Sequence, residues 1–218
     1  MLMNASMTVQ AIHSHLEGSI TALERTAIQC SESIEQAAQL VIDCFMSGGK
    51  LLICGNGGSA AESQHMAAEL PHRLSAKVIR RALPAIALTT DTSFLTAYAN
   101  DDGFEGVFER QVQALGRPGD VLLGISTSGS SKNVLRAIKC AQSLGIKSIA
   151  LLGHQGDLIR MADVSISVPS ESTQFIQESH LAIIHILCSL IETPFAEQNC
   201  QSVGCMASAM GDLSSSVG

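Results

Sequence analysis

Aromatic side chains are scarce in this 218-residue chain, at 3%, with no Trp and one Tyr. Base-stacking surfaces are therefore hard to build, and the 13 Lys and Arg against 20 Asp and Glu, a net charge of −7, include no basic run. Both features argue against nucleic acid as a principal ligand, while leaving a protein partner open. The seven Cys form no Cys-x-x-Cys pair, and most sit in apolar segments. Reduced thiols are expected rather than disulfides or a thiolate metal site. A basic region followed by an apolar core is missing at the N-terminus, and no apolar run of about 18 residues is evident, so the reading is a soluble, cytoplasmic protein without membrane attachment. Neither the Gly-Lys pattern of a nucleoside triphosphate loop nor a Gly-x-Gly-x-x-Gly fingerprint occurs, which removes nucleotide-dependent and redox chemistry from the leading candidates.

Hydrophobic residues make up 46% of the chain, enough for one good core. Val9, Ile12, Leu16, Ile20 and Leu23 recur at helical spacing, and a similar pattern runs from Ile34 to Phe45, so residues 8–47 read as two helices. From Lys50 onward, short apolar runs near 50–54, 85–89, 121–126, 148–152 and 164–168 alternate with helical patterns near 60–72, 92–99, 105–115, 131–144, 156–161 and 175–192. Alternation of this kind predicts right-handed βαβ units and a parallel sheet covered on both faces. The expected organisation is N-terminal helices over 1–49, packed on the core and used in assembly, a core over 50–193, and a flexible tail over 194–218, where periodicity is lost after Glu192-Thr193-Pro194.

Two strand-to-helix loops carry the chemistry. The apolar run Val121 to Ile125 ends in Ser126-Thr127-Ser128-Gly129-Ser130-Ser131 and then opens a helix. Five hydroxyls and one Gly, with no cation, suit a phosphomonoester on a small molecule, bound where a helix N-terminus offers free N–H groups. A Ser-rich turn that caps a helix accounts for one such loop equally well. The second loop, Gly55-Asn56-Gly57-Gly58-Ser59 after Lys50 to Cys54, shifts the balance toward a sugar-phosphate site. Ser59 with Glu62 also fits a capping box.

His65 and Glu69 are four apart and so share one helix face, within reach of one ion or one substrate carbon. Further on, the helical stretch Gln177 to His185 places Glu178, His180 and His185 on a largely apolar element, where an unpaired imidazole is costly. Satisfied core or interface histidines are the plain alternative to metal ligation, and the spacing alone does not choose. Imidazole, carboxylate and amide oxygen together suit zinc or a similar divalent ion. Gln177 and His185 lie eight apart, about 12 Å along a straight helix and about 80° around it. Convergence on one ion would need a distorted helix start or a second chain.

The motifs Gly55 to Ser59, Gln64-His65 with Glu69, Asn100-Asp101, Gly124 to Gly129, and Ile176-Gln177-Glu178 with His185 together resemble the phosphoheptose isomerase family over roughly residues 30–193. The resemblance implies an α/β fold of the SIS (sugar isomerase) type, a flavodoxin-like three-layer arrangement with a five-stranded parallel sheet and N-terminal helices. It implies ketose–aldose isomerisation of sedoheptulose 7-phosphate and D-glycero-D-manno-heptose 7-phosphate, which feeds heptose synthesis for the bacterial surface. Carried over by motif, His65, Glu69, Gln177 and His185 would hold one zinc per active site, and Glu69 and His185 would transfer the proton. Asn56, Gly57, Gly58, Glu69, Asn100, Asp101, Ser126, Thr127, Ser128, Ser131 and Gln177 would contact substrate, with Ser59 and Arg73 close to the site. A homo-oligomer, a tetramer by the same resemblance, is implied. Phe175 stands where the family usually has Arg, preceded by Gln174. The competing classes are a non-catalytic SIS protein, either a sugar-phosphate sensor or a paralogue that binds the replication initiator, and an SIS isomerase or lyase for another sugar phosphate.

Overall fold

The computed structural model describes the backbone of residues 5–75 and 78–210, and side chains over 7–75 and 78–196. Five parallel strands, β1 (Leu51–Gly55), β2 (Ala85–Ala87), β3 (Val121–Ser126), β4 (Lys147–Gly153) and β5 (Val164–Val168), lie in the order β2-β1-β3-β4-β5. All residues of β1 and β3 are buried, as their uninterrupted apolar character predicts for strands covered on both faces. Register runs straight through the centre, with Ile53 beside Leu123 and Leu123 beside Ile149.

Alternation along the strands divides the core in two. Leu51, Ile53, Leu123, Ile125 and Leu151 face α1 (Ala5–Met46), α2 (Gly58–Glu69) and α7 (Thr173–Met210). Leu52, Cys54, Leu122 and Leu152 face α3 (Thr92–Asp101), α4 (Val107–Leu115), α5 (Lys132–Ser143) and α6 (Leu158–Met161). This is the expected three-layer sandwich. Its connectivity leaves β1 toward β2 on one side and returns to β3 on the other, so the crossovers part between β1 and β3. In open α/β sheets the crevice beyond the strand ends at such a switch point is where ligands bind. The glycine loop after β1 and the serine loop after β3 flank it.

Two elements differ from expectation. One helix of 42 residues, Ala5–Met46, stands where two were expected over 8–47. The polar stretch around Thr26 to Ser33 looks like a break in sequence, but Ala22, Thr26, Cys30, Ile34, Ala37, Val41 and Phe45 continue one buried stripe. Thr26 and Ser31 donate their hydroxyls to the carbonyls of Ala22 and Ala27, so the helix absorbs its own polar groups. At the other end, α7 runs through Pro194 to Met210, where a flexible tail from 194 was expected. Phe195 anchors the chain past the proline: it is buried, packs edge-on to Phe45 with ring centroids 6.2 Å apart, and lies under the Arg81 guanidinium. Residues 211–218 of that expected tail lie outside the described residues. By length and composition Thr173–Ala196 is apolar enough to cross a membrane, contrary to the expectation that no such run exists. Ile176, Ile183, Ile184, Leu187 and Ile191 bury themselves in the core, which accounts for its apolar character.

Candidate active site

The glycine loop turns into α2 at Gly57, whose left-handed φ of 56° is accessible to glycine. The helix begins at Gly58, one residue before Ser59, so Ser59 is already inside the first turn and the expected capping box does not form. Ser59 is buried and its carbonyl accepts the Ser63 hydroxyl, while Glu62 turns toward α7. Asn56 points the other way and exchanges amide hydrogen bonds of 2.9 and 2.8 Å with Asn133 in the first turn of α5.

A Cβ on Gly58 would stand 2.1 Å from Nε2 of Gln177, so the glutamine amide rests directly on the glycine loop. Below that contact α2 and α7 run side by side in the same direction. Glu62 approaches His180, with Oε2 3.6 Å from Nδ1. His180 is fully buried, and neither ring nitrogen has a hydrogen-bond partner among the described residues. His65 meets His185, with their Nε2 atoms 2.9 Å apart, one donating and the other accepting, and Glu69 Oε1 lies 4.0 Å from His65 Nε2. Cys188, one turn further along α7, has its thiol pushed up to about 12 by burial and by the charges of Glu69 and Glu192, which keeps it neutral beside the carboxylates. Glu178 leaves this ladder and bonds His15 of α1 at 2.8 Å.

His65, Glu69, His185 and Gln177 are thus gathered along one helix pair within a single chain, Gln177 resting at the glycine loop above the other three. The start of α7 already brings Gln177 onto the loop, and no second chain is needed to bring His185 to His65. As a metal centre the set is partly assembled. Tetrahedral Zn–N bonds of about 2.0–2.1 Å place two nitrogens about 3.4 Å apart, so the His65–His185 pair is within half an ångström of a chelating separation. Among the described residues no group of three or more His, Cys, Asp and Glu already converges on one point. The donor types fit zinc, and only the two imidazoles already meet; Glu69 stands 4.0 Å from His65 and Gln177 rests on the glycine loop.

In the serine loop, Ser126 Oγ is 2.9 Å from Ser131 Oγ and 3.4 Å from Ser128 Oγ, and the Ser130 hydroxyl donates to Ser128 at 3.2 Å. Gly129, at φ 63°, allows the turn to lie against the backbone of Gln155. Ser131 precedes α5 without capping it through its side chain; its hydroxyl pairs with that of Ser126 and so faces the loop, where a helix N-terminus favours an anion. A cleft of about 570 Å³ opens beside Thr127, Ser128 and Ser130, with His154, Gln155 and Thr173 among its other walls. His154 was not singled out in sequence; its Nδ1 donates to the Ser170 carbonyl while Nε2 accepts from Gln155.

Asn100 and Asp101 close α3, exposed, and bond each other at 2.8 Å; among the described residues no hydrogen bond joins their side chains to either loop. Arg73 is exposed in the segment after α2. Phe175, at the position where a cation was expected, packs edge-on against His15 with centroids 5.1 Å apart. Asn133 was also missed in sequence, although a polar residue on the apolar face of α5, beside Val134 and Ala137, is a legible signal.

Two loops at a β1/β3 switch point, with an imidazole–carboxylate cluster beneath one of them, define a sugar-phosphate protein of the SIS class. The SIS domain family matches residues 15–153. A phosphoheptose isomerase of Geotalea daltonii is 52% identical over 182 residues, covering 83% of this chain and 92% of the relative. Solved phosphoheptose isomerases of Neisseria gonorrhoeae (45% identity, TM-score 0.79) and Francisella tularensis (42%, 0.81) each cover 85% of this chain, and are themselves covered over 99% and 98%. The chain belongs to the phosphoheptose isomerase family and is an isomerase. The sensor and initiator-binding alternatives give way to this assignment.

Proposed function

We propose that the chain interconverts sedoheptulose 7-phosphate and D-glycero-D-manno-heptose 7-phosphate through an enediol, with Glu69 and His185 as the proton-transfer pair. The observation that carries the site assignment is the meeting of His65 and His185 at 2.9 Å, with Glu69 at 4.0 Å, beside the glycine loop. A carboxylate and an imidazole placed across a substrate carbon pair can move a proton between neighbouring carbons, each contributing about 10²–10⁴-fold. The serine loop, with Ser126, Thr127, Ser128 and Ser131, holds the phosphate away from the reacting end. Asn56, Gly57, Gly58 and Gln177 line the sugar, with Asn100, Asp101 and Arg73 as further substrate contacts by family resemblance. His65, Glu69, Gln177 and His185 would hold one zinc per site, and such an ion would supply Lewis acidity toward the substrate oxygen.

The same reading extends to assembly and setting. Apolar residues exposed along α1 support a homo-oligomer, a tetramer by family, and the five described cysteines, buried and free of disulfides, support a reduced, cytoplasmic location. There the product feeds heptose synthesis for surface polysaccharide. The test is incubation of purified enzyme and zinc with sedoheptulose 7-phosphate, alongside hexose and pentose phosphates. Aldose heptose phosphate should form preferentially, and Glu69→Gln or His185→Gln should lower kcat by about 10²-fold or more while remaining folded. Unchanged substrate, or near-normal turnover in either variant, would overturn the assignment.

A further inference from the structure

Below the catalytic ladder the C-terminal end of α2 and the middle of α7 meet at one buried guanidinium. Arg80 and Glu192 have side chains only 1% and 5% exposed, and Arg80 Nε donates to Glu192 Oε2 at 3.1 Å. The other two nitrogens also donate: Nη2 reaches the carbonyl of Glu69 at 3.0 Å, and Nη1 reaches those of Leu70 at 2.8 Å and Arg81 at 3.0 Å. Glu192 further accepts from the Leu74 N–H at 3.4 Å. Glu69 is the last residue of α2, and Glu192 lies two turns beyond His185 on nearly the same face of α7. One rigid, planar group therefore holds the backbone of Glu69 and a carboxylate on the helix that carries His185.

Burying a charge pair is costly, and apolar residues of similar volume commonly serve stability as well or better. What apolar packing does not supply is direction, since a guanidinium with its donors engaged fixes the groups around it at set distances. We propose that Arg80, locked to Glu192, is a positioning residue for proton transfer: it fixes the end of α2 against α7 and so sets the gap between the Glu69 carboxylate and the His185 imidazole. The inference rests on the roles of Glu69 and His185 given above. It predicts an effect on the chemical step rather than on substrate capture, because neither residue belongs to the phosphate loop or the glycine loop.

The experiment compares wild type, Arg80→Met/Glu192→Met and Arg80→Lys in thermal melts and in steady-state isomerisation of sedoheptulose 7-phosphate. Displacement of a catalytic group by about 1 Å costs on the order of 100-fold in rate. The double variant should therefore lose about that much in kcat with KM within about twofold, and Arg80→Lys should lose roughly tenfold with the same split. Folded variants with kcat within about twofold of wild type, whatever their melting temperature, would overturn the proposal and leave the pair a stabilising contact. A rise in KM at unchanged kcat would overturn it too. Where the double variant fails to fold, Arg80→Lys carries the test by the same criteria. An inactive wild type would instead overturn the reaction itself, and the proposal with it.

Discussion

Asn56 and Asn133 hold each other by two amide hydrogen bonds of 2.9 and 2.8 Å, and this reciprocal pair ties the glycine loop to the helix that follows the serine loop. Asn56 and Asn133 are 77 residues apart in sequence but follow strands that are neighbours in the sheet, so the pair sets the spacing of the two loops at the switch point. Asn133 Oδ1 also accepts from the Val134 N–H at 3.0 Å. Asn133→Ala leaves the Asn56 amide without its partner, a loss of about 1–3 kcal/mol for a desolvated polar group. Urea unfolding should show that loss, and KM should rise more than kcat falls because the sugar end and the phosphate end are no longer held at a fixed distance. An unchanged KM in a destabilised variant would confine the pair to folding.

The contact of Gln177 with Gly58 yields a sharper test. A Cβ at Gly58 would meet the glutamine Nε2 at 2.1 Å, yet the obstructed group is the end of a flexible side chain. Gly58→Ala should therefore fold, with a melting temperature close to wild type, while pushing Gln177 from its place. Activity should fall to the level of Gln177→Ala, and combining the two should add little further, as for residues acting through one contact. Additive losses would mean that the alanine disturbs the loop by another route.

Much of this site was legible because its parts are local. Ser126 to Ser131 and Gly55 to Ser59 announce loops at strand ends, and all five strands fall where short apolar runs predicted them. The pairing of His65 with Glu69 follows from helix geometry. What sequence could not supply were relationships across elements, such as Asn56 with Asn133 or Arg80 with Glu192, for which no periodicity exists. The misread junctions have physical causes as well. Hydroxyls that bond back to their own helix disguised α1 as two pieces, and buried Phe195 carries α7 past a proline that ordinarily ends a helix.

Asp163 gives a prediction in pH. Burial alone would raise its pKa, but hydrogen bonds from Lys147 and from the Ser148 N–H and hydroxyl outweigh that and hold it below the ordinary value of 3.8. These bonds, at 2.6, 2.8 and 2.9 Å, tie the start of β4 to the residue before β5. A carboxylate with a lowered folded pKa contributes stability that is present above its unfolded value and lost as pH falls through the folded one. The stability gap between wild type and Asp163→Asn should thus be widest near neutrality and narrow below about pH 4. A gap that stays constant on acidification would show that the ionised form is not what β4 and β5 use.

The final prediction concerns what covers α1. Val9, Ile12, Leu16 and Ile20 recur at three- and four-residue spacing and remain about half exposed in the single chain, at 54–56%. An apolar stripe of this length on a helix is stable when another surface covers it. Light scattering should report a mass near four times the 22.9 kDa chain, and Ile12→Glu with Leu16→Glu should reduce it. Assembly and site completion are separate questions, however, because His65 and His185 already meet inside one chain. Mixing Glu69→Gln with His185→Gln subunits should therefore restore no activity after verified exchange, since every site in the mixture retains one defective member of its own pair. Recovery of turnover in that mixture would place the two groups on different chains and overturn the single-chain geometry, even if the mass measured were that of a tetramer.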